Sequence, residues 1–114
     1  MITNRRHAPR VRIYLPVRLY QASAPVLDTL TKDVGTGGMR CLSPTIIPVG
    51  REIVAELSLP NNAEVATLRG RVAWFEIVSG SEQFCVGIEF QGVTEKNKRL
   101  LSGYLEKNPQ FSAL

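Results

Sequence analysis

Val11-Arg12-Ile13-Tyr14-Leu15-Pro16-Val17-Arg18-Leu19-Tyr20 is the stretch on which the fold turns. Val11, Ile13, Leu15, Val17 and Leu19 fall on one side of an extended chain; Arg12, Tyr14, Pro16, Arg18 and Tyr20 fall on the other. Successive strand residues point to opposite faces, so this period of two predicts one continuous strand with a buried side and a half-polar outer side. Pro16 has no N–H to give to a ladder, which places it at an edge or a bulge.

Working outward, the same grammar recurs. Gln21 to Pro25 reads as a hairpin loop, Val26 to Lys32 as a second strand running into a glycine turn at 35–38, and Met39 to Leu42 as a third strand broken by Ser43-Pro44. Beyond Pro48-Val49-Gly50, Ile53, Ala55, Leu57 and Leu59 alternate with Val54, Glu56 and Ser58. Pro60-Asn61-Asn62 is a strong turn signal. A long strand follows from Val65 to Ile77, then one from Phe84 to Phe90 with Phe84, Val86, Ile88 and Phe90 inward. Gly87 among them marks a close backbone approach or a barrel corner. Six strands separated by turn chemistry predict a mainly all-β protein, a six-stranded antiparallel β-barrel. The period then becomes helical: Thr94 suits an N-cap, Leu100, Leu101, Tyr104 and Leu105 share a face, and Pro109 stops the run. This C-terminal α-helix is expected to cover one barrel opening. Gly103 weakens it by about 1 kcal/mol relative to alanine, so tertiary contacts must hold it.

The 114 residues, 44% hydrophobic and 21% charged, suit one compact domain with a modest core. No apolar run approaches the ~20 residues of a membrane span. Arg5, Arg6 and Arg10 occupy the place where an export signal needs its apolar stretch, so a cytoplasmic location is expected. Cys41 and Cys85 fit neither a disulfide framework nor a zinc site and read as buried thiols in apolar strands. His7, the sole histidine, reads as an exposed loop residue. No nucleophile–base pair, metal-ligand cluster or Walker-type loop is present, so a binding protein without cofactor or metal is expected rather than an enzyme.

Charge is distributed unevenly. Residues 1–27 carry five arginines and no acidic residue, a formal +5, so the remainder of a chain of net +4 sums to about −1. An anionic partner at the N-terminal end is implied. Two short signatures sharpen this: Arg5-Arg6-His7-Ala8-Pro9-Arg10 and Asp33-Val34-Gly35-Thr36-Gly37-Gly38. Guanidinium forks match phosphate oxygens and the O6/N7 edge of guanine. A carboxylate accepts from guanine N1 and N2 hydrogens, and glycines let backbone approach a ligand. A phosphate-rich guanine nucleotide suits these residues. Plainer roles stand beside this one. Arginine clusters are often solvated tails, and turn-opening aspartates often bond their own backbone. Gly35, Gly37 and Gly38 can serve a turn by adopting positive φ, and Trp74 reads as core or rim packing.

The two signatures, in order and on this strand pattern, resemble the PilZ family of cyclic di-GMP receptors. The family pattern is Arg-x-x-x-Arg followed by (Asp/Asn)-x-Ser-x-x-Gly. Arg6 and Arg10 match the first element; Asp33 and Gly38 match the ends of the second. Gly37-Gly38-Met39-Arg40, Gly70-Arg71-Val72-Ala73-Trp74 and Val86-Gly87-Ile88-Glu89-Phe90 also look like family landmarks. The resemblance implies an N-terminal arginine segment (residues 1–12), flexible until it folds over cyclic di-GMP on a barrel spanning 4–106, with 107–114 as a tail. It implies a ligand site of Arg5, Arg6, Arg10, Asp33, Gly35, Gly37 and Gly38. An arginine at position 5 goes with an intercalated dimer of the nucleotide. Gly35 stands where the family has serine; one lost neutral hydrogen bond is worth roughly 0.5–1.5 kcal/mol, so binding up to about tenfold weaker is expected. The implied function is a receptor that couples messenger level to an unidentified effector protein. Gly35 also leaves open a PilZ-like adaptor that no longer binds nucleotide. A third reading is a small barrel that binds single-stranded nucleic acid, which the scarcity of aromatic residues on the basic face disfavours.

Overall fold

The computed structural model describes residues 10–60 and 64–109. Its strands are β1 (Arg10–Arg12), β2 (Pro16–Gln21), β3 (Ala24–Gly35), β4 (Gly38–Ser43), β5 (Glu52–Leu59), β6 (Glu64–Ile77) and β7 (Phe84–Phe90). A single helix, α1 (Glu95–Glu106), follows. The ring β3-β2-β5-β6-β7-β4 closes on itself through the β3–β4 pairing, all neighbours antiparallel, and leaves β1 attached to the far end of β3. The architecture is thus the expected six-stranded barrel with a C-terminal helix, plus one short extra strand.

The opening stretch keeps its expected faces but not its continuity. Val11, Leu15, Val17 and Leu19 are buried and Ile13 packs against them, yet the run is two strands, β1 and β2. The reason is Thr31. Its hydroxyl donates to the Ile13 carbonyl at 2.6 Å and accepts from the Leu15 N–H at 2.9 Å. A side chain thus replaces ladder bonds opposite a shift in the β3–β4 register between Thr31 and Asp33. Pro16 then begins β2, where the expected irregularity falls. Thr31→Val keeps the shape but leaves the Leu15 donor and the Ile13 acceptor without that partner. The expected cost is about 1–3 kcal/mol, read as a lower urea midpoint.

β6 is also irregular. Its pairing with β7 shifts between Val72 and Trp74, which makes Ala73 an extra residue. The bulge brings the Trp74 indole over Gly87, where any Cβ would collide with the ring. The close approach expected at Gly87 is therefore to a side chain of the neighbouring strand.

The barrel interior joins Val11, Leu19, Val34, Met39, Ile53, Leu57, Leu68, Val72, Val86 and Ile88 into one core. Leu101, Tyr104 and Leu105 of α1 complete it, with Leu100 partly buried beside them. Thr94 caps α1 by accepting from the Asn97 N–H at 3.3 Å. The Asn97 side chain accepts from the Thr67 N–H at 2.9 Å and so ties the helix to β6.

Cys41 and Cys85 are both buried free thiols. Burial pushes the Cys41 thiol from an ordinary 9.0 up to about 12, and raises Cys85 as well. A raised folded-state value gives stability that is complete below the unfolded value and lost as pH climbs through the folded one. Stability is therefore expected to fall between pH 9 and 12 on account of Cys41. At pH 8 neither thiol should react with a disulfide reagent until denaturant is added.

Candidate functional site

The site grows from the β3–β4 hairpin. Asp33 and Arg40 are paired across its two strands, and Arg12 of β1 pairs with Asp33 from the other side. Two strands, β1 and β4, thus bring arginines to either side of the one carboxylate on β3. Arg40 holds Asp33 Oδ2 through Nε at 2.7 Å and through Nη2 at 2.5 Å. Arg10 reaches the other oxygen, Oδ1, with Nη1 at 3.4 Å. The Asp33 side chain is 9% exposed, Arg40 33% and Arg10 42%, so the carboxylate lies beneath its guanidinium partners. Hydrogen bonding to Asp33 raises the Arg40 guanidinium further above its ordinary range, against the opposing effect of burial.

Gly38 lies beside this cluster. A Cβ built there would clash with the Ile88 carbonyl oxygen and would lie 3.5 Å from Arg10 Nη2. Its glycine is needed for close packing. Positive φ among the described glycines belongs to Gly50, Gly80 and Gly92, so the turn at 35–38 does not use the left-handed conformation considered for Gly35, Gly37 and Gly38. Gly35 pairs with Arg10 across the β1–β3 ladder. The Gly37 carbonyl accepts from the Phe90 N–H at 2.9 Å, which anchors the turn to the end of β7.

Arg10, Asp33, Gly35 and Gly38 therefore meet at one surface, with Gly37 on the connecting turn. Arg5 and Arg6 lie outside the described residues. Arg40 was missed as a site residue. It sits seven positions after Asp33 across a glycine-rich hairpin, and counting register across that turn pairs them. On the outer face the row continues from Arg40 to Gly87 and Trp74. The patch is a shelf rather than a hole. A cavity of about 440 Å³ lies elsewhere, between α1 and the barrel, lined by Leu68, Phe90, Val93, Leu101 and Ser102 and touching the glycine turn only at Thr36.

The arrangement defines a class: a small closed barrel presenting a cationic shelf around one acceptor. The PilZ domain model matches residues 4–107, and the chain belongs to the PilZ domain family. Solved structures agree on the fold. The Bacillus subtilis inhibitor of motility superposes with a TM-score of 0.75 at 17% identity, over 90% of this chain and 50% of that one. The PilZ domain of YcgR from Escherichia coli, solved with c-di-GMP, gives 0.68 at 17% identity over 87% of both chains. The K. pneumonia MrkH–c-di-GMP complex gives 0.68 at 18% identity, over 92% of this chain and 55% of that one. The chain spans about half the length of the first and the last of these. No curated protein matches it.

Proposed function

We propose that this protein is a c-di-GMP receptor whose N-terminal arginines close on the Asp33–Gly38 shelf. The observation that carries the reading is Arg10, whose guanidinium reaches Asp33 and lies beside Gly38. Arg40 occupies Asp33 Oδ2, while Oδ1 takes the long Arg10 contact and is the acceptor best placed for guanine N1 and N2 hydrogens. Arg10 then turns to phosphate or to a guanine edge, joined by Arg6. Gly35, Gly37 and Gly38 keep the shelf free of side chains, and Arg5 adds a stacking contact for a second nucleotide. The c-di-GMP complexes of similar PilZ domains support the ligand class. Closure of the arginine segment ahead of β1 over the nucleotide changes the surface offered to an effector protein and couples messenger level to output.

Titration calorimetry with c-di-GMP tests this. Wild type is expected to bind with close to two nucleotides per chain, Arg5→Ala with close to one, and Arg6→Ala/Arg10→Ala without measurable heat. A second reading, an adaptor that works without nucleotide, is favoured by Gly35 in place of serine and by the internal pairing of Asp33 with Arg40. Absence of heat from wild type selects it.

A further inference from the structure

Among the described residues nothing requires position 103 to be glycine. It sits in the interior of α1, where glycine is disfavoured, its φ is not positive, and a Cβ added to it would meet nothing within 4 Å. Natural sequences break a local rule of this kind mostly where a surface has work to do. The surroundings indicate the work. Lys96, Arg99, Gly103 and Lys107 recur at helical spacing along one outward stripe. Together with Leu100 and Tyr104 they line a concavity of about 290 Å³ on the side of α1. Lys96, Arg99 and Lys107 are exposed. Arg99 makes only a 4.0 Å contact with Glu95, and no ion pair of Lys96 or Lys107 is recorded among the described residues.

We propose that this notch is a docking surface for an acidic protein segment. An apolar side chain of that segment enters over Gly103, against Leu100 and Tyr104, while its carboxylates meet the three cations. Charge sets the occupant. A second copy of this chain brings a net +4, and the apolar face of α1 is already spent on the core, which leaves none to enter a membrane. The missing Cβ lets the partner come close to the helix backbone. None of these residues belongs to the Arg10–Asp33 shelf. The proposal rests on the receptor reading only in supplying its partner surface.

The test is fluorescence anisotropy with a labelled peptide of repeated Glu-Glu-Leu-Leu units, with no nucleotide present, so its failure is distinct from failure of nucleotide binding. Wild type is expected to bind, and Gly103→Leu to bind roughly tenfold more weakly. Lys96→Glu/Arg99→Glu should lose at least as much, whereas Arg51→Glu/Arg71→Glu, with the same change in net charge, should bind like wild type. Gly103→Ala should melt a few degrees higher than wild type, since alanine favours the helix. Equal weakening by both charge reversals, wild-type affinity in Gly103→Leu, no peptide binding, or binding of anionic phosphatidylglycerol vesicles in place of the peptide would each overturn the proposal.

Discussion

Arg10→Ala is expected to lower affinity for c-di-GMP by about 100-fold while leaving the melting temperature almost unchanged. Hydrogen bonds to charged groups contribute roughly 1.5–3 kcal/mol each, and a 100-fold loss corresponds to about 2.7 kcal/mol. Arg10 is 42% exposed and stands 3.4 Å from Asp33, a pairing of the kind worth about 0–1 kcal/mol to folding. Arg40 should behave in the opposite way. Its Nε and Nη2 both hold one oxygen of a carboxylate that is only 9% exposed. Arg40→Ala removes both of these bonds from a nearly buried carboxylate, and is expected to cost about 1.5–3 kcal/mol of stability. The pair separates a ligand-facing arginine from one that builds the shelf. Urea melts beside calorimetric titrations read both effects, and a greater stability loss in Arg10→Ala than in Arg40→Ala would reverse the roles.

Gly87→Ala is expected to destabilise the barrel. The added Cβ falls on the Trp74 ring, and the ring is held by a bulged strand on one side and β7 on the other. Overpacking of this sort costs typically 1–3 kcal/mol. The distinguishing result is rescue. Trp74→Ala alone loses the ring's packing and destabilises, but in the Gly87→Ala background it removes the clash. The double mutant is therefore expected to be more stable than the sum of the single effects allows, by about 1 kcal/mol or more. Additive losses would mean that the indole does not rest on Gly87. Because Arg40, Gly87 and Trp74 form one cross-strand row, the same change should also disturb the shelf.

The barrel was legible because each strand buries one face. Val11 to Leu19 and Ile53 to Leu59 alternate so cleanly that the core residues follow from the period alone. In Phe84 to Phe90, by contrast, Cys85 and Gly87 are buried as well, and Phe84, expected inward, packs against Phe75 outside the core. What alternation does not carry is continuity of the ladder. The break at Ile13–Leu15 is made by the hydroxyl of Thr31, a residue 16 positions after Leu15 whose side chain outcompetes backbone bonds there. The shift at Ala73 is likewise invisible in composition, and the Trp74–Gly87 contact depends on it. In the site, Arg10, Asp33 and Gly38 come together as their motifs suggested. Arg40 was hidden because it looked like a landmark rather than a partner. The glycines of the turn were assigned a conformational role, whereas Gly38 answers to the Ile88 carbonyl packed against it, a contact between β4 and β7 that no local motif contains.

The most direct measurement of nucleotide capture is amide chemical-shift mapping of isotope-labelled protein during titration with c-di-GMP. The largest displacements are expected at Arg10–Arg12 and from Asp33 through Arg40, with the far end of the β6–β7 hairpin nearly still. Saturating nucleotide that leaves those amides unmoved, or that displaces only the cavity residues between α1 and the barrel, would contradict a ligand held between the arginines and the Asp33–Gly38 shelf.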